Sequence, residues 1–210
     1  MCAHASAARS AASMKALIVE DMPESQTLLR EVAEAAFPDI ECVCVADVAG
    51  ALARFAEPFD LALVDLSLPD GSGLRVIEAL AARMPTCAVV VATIFDDDEH
   101  LFTALQVGAR GYLLKDEPTE ALIEQLKGIR AGRLPLSPSV ARRILQHFRQ
   151  LPARAQGEEQ TVLTAREQEI LGYLARGLSI TAIAQVVGIS HHTVGDHVKN
   201  IYRKLNISSR

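Results

Sequence analysis

No stretch of the 210-residue chain runs apolar for the ~20 residues that a membrane-spanning helix needs. Half of all residues are nevertheless hydrophobic, so the chain reads as soluble, with enough apolar material for packed cores. Cysteine is scarce: Cys2, Cys42, Cys44 and Cys87 are the four present, and they form neither a CxxC pair nor a zinc-like set with histidine. That excludes a thiolate metal site and fits a reducing, cytoplasmic compartment. Cys42 and Cys44 alternate along an apparent strand, Ile40 to Val45, and share one side of it; both are expected to be buried, inert thiols. Residues 1–13 are small and polar with no apolar core, so they do not read as a secretory signal. They are expected to be disordered, with Met14, just ahead of the first strand, as the biological start. No internal repeat of about 20 to 50 residues is visible.

What the chain does have is a charge division. Its length exceeds the roughly 100 to 200 residues of one domain. Residues 14–132 carry 9 basic and 21 acidic side chains, a balance of −12, whereas residues 133–160 and 161–210 each come to +3. The acidic total therefore conceals a basic C-terminal third, which suits a polyanionic partner such as nucleic acid. The expected organisation is a disordered extension (1–13), an α/β domain (14–132), a linker with its own apolar helical stretch from Val140 to Phe148 (133–160) and a small all-helical domain (161–210).

Within the first domain, strand and helix alternate steadily, which argues for a doubly wound parallel sheet of five strands in the flavodoxin-like order 2-1-3-4-5. Helical spacing recurs at Leu28, Leu29, Val32 and Ala36, at Leu74, Ile77, Ala81 and Met84, and at Leu122, Ile123, Leu126 and Ile129. The apolar runs end on chemistry. Ala16 to Val19 is followed by Glu20 and Asp21, and Leu61 to Val64 by Asp65; Ala88 to Ala92 closes on Thr93, and Gly111 to Leu114 on Lys115. In parallel sheets, ligands bind beyond the carboxyl ends of the strands.

Three carboxylates held together repel one another and need a cation or raised pKa values at neutral pH. Magnesium takes oxygen ligands and commonly bridges carboxylates to a phosphoryl group. A carboxylate can attack phosphorus to give an aspartyl phosphate, and an ammonium and a hydroxyl can bind the transferred oxygens. Asp65, Lys115 and Thr93 fit those roles. Taken singly, each residue has a plainer explanation: a strand-end Asp is usually a cap or turn residue, Lys115 a solvated lysine, Thr93 a β-branched strand residue and Tyr112 simple packing.

The joint order of Glu20-Asp21, Asp65, Thr93, Tyr112 and Lys115 resembles a bacterial response-regulator receiver domain, from Met14 to about Gly132. The resemblance implies that Asp65 is the phosphoacceptor, that Asp21 and Asp65 ligate magnesium directly, and that Glu20 does so through water and Ser67 through its backbone carbonyl. Thr93 and Tyr112 would be the switch pair: the hydroxyl turns toward the phosphoryl group and the ring moves inward behind it. The segment from Leu66 to Leu74 resembles the loop that follows the phosphoacceptor, and its Pro and Gly independently read as a turn before a helix.

The C-terminal unit carries its own pattern. Thr164 with Glu167 fits a capping box, Gly177 and Gly188 mark helix ends, and Val194, Val198, Ile201 and Leu205 form one apolar stripe. The opposite face holds His192, Gly195, Asp196, Lys199 and Arg203, placed to reach a major groove. From about Val162 to Arg210 this resembles the LuxR-type helix-turn-helix of NarL/FixJ-type response regulators, which implies that His192, Thr193, Asp196, Lys199 and Arg203 face DNA. Two departures stand out. Gly195, followed by acidic Asp196, replaces the usual basic residue after Thr-Val. The chain also stops at Arg210, before the family's fourth helix, so pairing through that helix is not expected.

The expected function is a transcription factor controlled by phosphorylation of Asp65. Its expected partners are a histidine kinase or small phosphodonor, double-stranded DNA and RNA polymerase, with homodimers forming on phosphorylation and no membrane contact. It is not expected to be a metabolic enzyme, although slow hydrolysis at Asp65 is. The alternatives are an interaction-only regulator that no longer binds DNA and an aspartyl-nucleophile phosphatase. The latter generally has a second acid two residues after the nucleophile, where this chain has Ser67.

Overall fold

The computed structural model describes residues 14–131, 135–150 and 163–207. The expectations for residues 1–13, for Cys2 and for residues 151–160 fall outside the described residues. Five apolar runs pair into one parallel sheet: β1 (Lys15–Val19), β2 (Glu41–Val45), β3 (Leu61–Val64), β6 (Ala88–Thr93) and β7 (Gly111–Leu114). Their order is β2-β1-β3-β6-β7, the expected 2-1-3-4-5 when sheet strands alone are counted. Such strands are covered on both faces, which is why they read as continuous apolar runs rather than alternating ones.

Helices α1 (Pro23–Ala36), α2 (Val48–Ala53), α3 (Leu74–Arg83), α4 (Asp98–Gln106) and α5 (Thr119–Lys127) connect the strands. Two small elements, β4 (Ser67–Leu68) and β5 (Gly71–Ser72), pair as an antiparallel hairpin inside what the sequence presents as a plain turn. One apolar core packs Leu29, Val32 and Phe37, from α1 and just beyond it, against Ile18 and Leu63. Each such side chain contributes about 1.5–3 kcal/mol by leaving water. Cys42 and Cys44 are half-buried rather than buried, a correction whose cause is position: β2 is an edge strand with a neighbour on one side. Burial does hold the Cys42 thiol up, at about 11. Cys87 is buried as expected, and burial pushes its thiol up to about 12.

The other edge strand, β7, is covered by the linker. Leu136 pairs in parallel with Tyr112, whose amide donates to the Pro135 carbonyl at 3.0 Å. Gly111 makes that approach possible, because a Cβ there would collide with the Pro135 ring and lie 2.8 Å from its carbonyl oxygen. Directly afterwards α6 (Pro138–Gln150) starts with proline at its first position, where no amide donor is needed, and with buried Ser137 accepting from the Val140 amide at 3.3 Å. The helical stretch expected from Val140 to Phe148 thus falls within a slightly longer helix.

The second core runs without a break from Val64, Val91 and Tyr112 of the sheet through Leu101 and Leu105 of α4 and Val140 and Ile144 of α6 into the C-terminal unit. That unit is α7 (Ala165–Leu174), α8 (Ile180–Val187) and α9 (His191–Ile207). Among the described residues no helix is long and apolar enough to cross a membrane.

Candidate functional site

The sheet order reverses between β1 and β3, so their carboxyl ends flank a crevice. Glu20 and Asp21 follow β1, and Asp65 follows β3. Glu20 is fully buried and Asp65 nearly so, while Asp21 is exposed; the three can each bring one oxygen within 4.8 Å of the others. Glu20 and Asp65 are pinned by main chain. The Glu20 amide donates to the Val45 carbonyl at 3.0 Å and the Asp65 amide to the Val19 carbonyl at 2.9 Å. Asp65 Oδ1 accepts from the Leu66 amide at 2.8 Å, and Glu20 Oε1 from the Met22 amide at 3.2 Å.

Lys115, just past β7, reaches across this crevice. Its Nζ lies 2.7 Å from Glu20 Oε2 and 3.2 Å from Asp65 Oδ2, with its side chain only 8% exposed. Burial raises the Glu20 carboxyl above its ordinary range; Lys115 works against that and the neighbouring Asp65 charge adds to it. A buried acid with a raised pKa disfavours the ionised form, so a cation that neutralises it is favoured here. Three carboxylates and no nitrogen or sulfur donor are a hard-oxygen set that fits magnesium. Ser67 lies two residues beyond Asp65, exposed on β4.

Thr93 is fully buried at the end of β6, and its Oγ1 accepts from the Phe95 amide over a long 3.4 Å. Tyr112 is fully buried too, and its hydroxyl donates to the Phe95 carbonyl at 2.7 Å. Burial pushes the phenol's pKa up. The Tyr112 ring thus already lies inside in this structure.

Two supports of this site went unread in the sequence. Asp70, in the hairpin, accepts from the amides of Val48 and Ala49 at 2.8 and 2.9 Å, capping α2 from a distance and holding its carboxyl below the usual range. Its Pro-Asp-Gly setting signals a turn; nothing local signals a partner 22 residues away. Gly73 is the other: a Cβ there would fall on the Asp65 carbonyl oxygen and lie 3.1 Å from Val64 Cγ1.

At the other end of the chain, Ser179 caps α8 through the Ala182 amide at 3.2 Å. Gly188 then turns the chain in the left-handed conformation at φ 68°, which costs glycine little. Ser190 Oγ accepts from the Thr193 amide at 3.1 Å and so starts α9. Val194, Val198 and Ile201 are buried, whereas His192, Thr193 and Asp196 are exposed; Gly195 is buried. The side chains of Lys199, Arg203 and Leu205 fall outside the described residues. The ring of His191, which the sequence reading did not single out, lies tilted against that of His192 at the front of the helix, with centroids 4.0 Å apart. Besides α7 and α8, α9 packs against α4, so part of it is turned toward the α/β domain.

The capping box is present. Glu167 accepts from the Thr164 amide at 2.6 Å and hydroxyl at 2.9 Å, and from Lys204 Nζ at 2.7 Å. Burial opposes ionisation of Glu167, but Lys204 and Thr164 outweigh it and hold the carboxyl below its ordinary value. The ion pair therefore stabilises above the unfolded pKa of about 4.3 and is lost as pH falls through the lower folded value. Glu167→Gln keeps the reach and loses the charge. It is expected to cost roughly 2–3 kcal/mol, and to flatten the loss of α7 and α9 amide protection as pH falls below about 4. Hydrogen exchange of the full chain across an acid series measures this; equal acid sensitivity in the variant contradicts it.

A response regulator receiver domain model matches residues 16–127, and the model of bacterial regulatory proteins of the luxR family matches residues 161–210. The chain is 35% identical over 203 residues to the nitrate/nitrite response regulator protein NarP of Escherichia coli (strain K12), covering 95% of this chain and 92% of that protein. It is 33% identical over 196 residues to the nitrate/nitrite response regulator protein NarL of the same strain, covering 92% and 90%. Among solved structures, that of two RcsB dimers bound to two parallel DNAs superposes with a TM-score of 0.58 at 22% identity, covering 95% of each chain. The RcsB response regulator of Salmonella typhimurium gives 0.56 at 23%, covering 94% and 95%. At those identities the structural likeness speaks for the fold.

Proposed function

Because the chain belongs to the response regulators that join a receiver domain to a luxR-type DNA-binding domain, it is a transcriptional regulator rather than a metabolic enzyme, and we propose that Asp65 is its control point. The observation that carries this reading is the ammonium of Lys115 shared between Glu20 and Asp65 at the crevice where the sheet order reverses. Asp65 takes a phosphoryl group from a histidine kinase or a small phosphodonor. A carboxylate oxygen forms the bond to phosphorus and the donor leaves with the bonding pair. Bound at Glu20, Asp21, Asp65 and the Ser67 carbonyl, magnesium would supply charge neutralisation for the phosphoryl oxygens.

Lys115 then moves from its acid partners to a phosphoryl oxygen, and the Thr93 hydroxyl turns to donate to another. That turn withdraws the acceptor of the Phe95 amide, so the segment leading into α4 shifts. Slow hydrolysis at Asp65 returns the site to its starting state. With residues 14–132 as receiver, 133–160 as linker and 161–210 as output domain, the shift at α4 reaches α9 directly, because the two helices touch. Freed of α4, α9 enters the major groove, where His192, Thr193, Asp196, Lys199 and Arg203 are the residues to meet DNA, and pairing of phosphorylated receivers brings two output domains together. RNA polymerase is the further partner such a regulator serves.

The DNA-binding half is tested by a salt titration on a selected site, with and without phosphodonor. Lys199→Ala is expected to weaken binding to all sequences and reduce the salt slope by about one, the signature of a lost phosphate contact. Asp196→Ala is expected to leave site binding intact and raise non-specific affinity, because it removes a negative charge beside a polyanion. Binding that ignores both Lys199→Ala and the phosphodonor would remove α9 from this role.

A further inference from the structure

Three consecutive acids, Asp96, Asp97 and Asp98, lead from the segment after Thr93 into the first residue of α4, and the structure divides their work. Asp97 is spent locally: its Oδ1 accepts from the His100 amide at 3.0 Å and caps α4, and its Oδ2 meets His100 Nδ1 at 2.7 Å. The acids on either side are left to reach outward, and both meet one residue of the linker. Arg143 of α6 places one nitrogen 2.9 Å from Asp96 Oδ2 and the other 3.2 Å from Asp98 Oδ1. Four residues further along α6, the ring of His147 lies 4.0 Å from that of Phe102 in α4.

The acids Arg143 grips belong to the segment that the phosphoryl site itself holds. The Phe95 amide donates to Thr93 Oγ1, and the Phe95 carbonyl accepts from the Tyr112 hydroxyl. Asp96 is the next residue. The same Tyr112 gives its backbone amide to Pro135, at the start of the linker. One side chain and one main-chain pair therefore tie the linker to the segment after Thr93 and to Tyr112, and α6 in turn packs on α7.

We infer that Arg143 is a latch: its two arms hold the linker helix on the segment after Thr93, and release of that grip is the step through which the phosphoryl site frees the output domain. The inference rests on the reading of Asp65 as control point and adds the residue that carries the message. The pairs are partly exposed, with Arg143 at 33% and the acids at 67% and 60%. Such pairs contribute little individually and are screened by salt. That suits a latch, which must bias a near-balanced equilibrium and yield when the segment moves by a fraction of its hydrogen-bond reach. A weld of buried charges would not open.

The test uses the full chain and reads hydrogen exchange of α4, α6 and α9, first without phosphodonor. Arg143→Gln is expected to raise exchange in α6 and across the α4–α9 contact by about three- to tenfold, the range that two exposed ion pairs allow. Raising the salt concentration should bring the wild type toward the variant. Exchanging the charges, with Arg143→Glu joined to Asp96→Arg and Asp98→Arg, is expected to restore protection. Gly111→Ala, which disturbs the Pro135 seat at the other end of the strap, should loosen α6 with Arg143 intact. With phosphodonor, the wild type should rise to the level of Arg143→Gln, and that variant should gain little more.

Unchanged exchange in Arg143→Gln, or a charge-exchanged protein that stays loose, overturns the latch. So does an equal further opening of wild type and variant on phosphorylation. The first arm needs no phosphoryl group, so Arg143→Gln that loosens α6 in a protein whose Asp65 never labels would support the latch while removing the reading of Asp65.

Discussion

Incubated with magnesium and a small phosphodonor, wild-type protein is expected to gain one acid- and base-labile phosphoryl group per chain, and Asp65→Asn none. The substitution is nearly isosteric, so the Leu66 amide keeps an oxygen acceptor in place of Asp65 Oδ1 and Lys115 keeps Glu20. What disappears is the nucleophile, because an amide oxygen does not form a stable bond to phosphorus at this step. Glu20 is not a substitute, because it is fully buried with its two oxygens held by the Lys115 ammonium and the Met22 amide. Phosphoryl incorporation read by intact-protein mass spectrometry checks this, and equal labelling of Asp65→Asn would move the acceptor elsewhere. Removing magnesium with a chelator is expected to slow the wild-type reaction strongly.

The second large effect comes from Gly73, a residue without chemistry of its own. An added methyl would occupy the space of the Asp65 carbonyl oxygen and press on Val64. A neighbouring side chain could rotate away; a strand-end carbonyl cannot, since the Asp65 amide is held to Val19 and the Gly73 amide to Leu66. Gly73→Ala is therefore expected to cost about 3 kcal/mol, at the upper end for overpacking, and to lower Tm by roughly 10 °C. It should also slow phosphoryl transfer, because relief of the clash displaces the backbone that aims the nucleophile. Thermal unfolding and labelling rates measured together test this; a variant that matches wild type in both would show that the loop has room to spare.

How far the sequence announced all this depended on the range of the interaction. The strands were legible because both faces of a parallel sheet are buried, so their residues read as unbroken apolar runs. The acids were legible because strand ends are where such runs stop. The Thr164–Glu167 cap is a pattern of four residues and was plain. Less was visible of α4, whose first turn, with Asp98 and Glu99, reads as loop until Asp97 is seen to cap it. The six-residue α2 carries Gly50 in its middle, and its start needs Asp70 on the Val48 and Ala49 amides besides its local cap, Asp47. Lys204 on Glu167, 37 residues apart, and Arg143 on Asp98, 45 apart, are tertiary facts without a local signature. Cys42 and Cys44 misled for a related reason: alternation reveals a shared face, but whether a strand lies at the edge depends on what pairs beside it.

The linker's attachment to β7 also sets a phase. Leu136 is held in register with Tyr112, and Arg143 follows seven positions later, on the second turn of α6. A helix advances 100° per residue, so inserting one residue between those anchors would swing Arg143 away from Asp96 and Asp98. It would also carry Val140, Ala141 and Ile144 off their buried face. Chimeras that graft this receiver onto another output domain therefore have two workable junctions: ahead of Pro135, where the whole strap travels with its own output domain, or beyond Gln150, where it stays with the receiver. A cut between them that adds or drops a residue keeps Asp65, Thr93 and Lys115 and still delivers their motion to the wrong side of the helix.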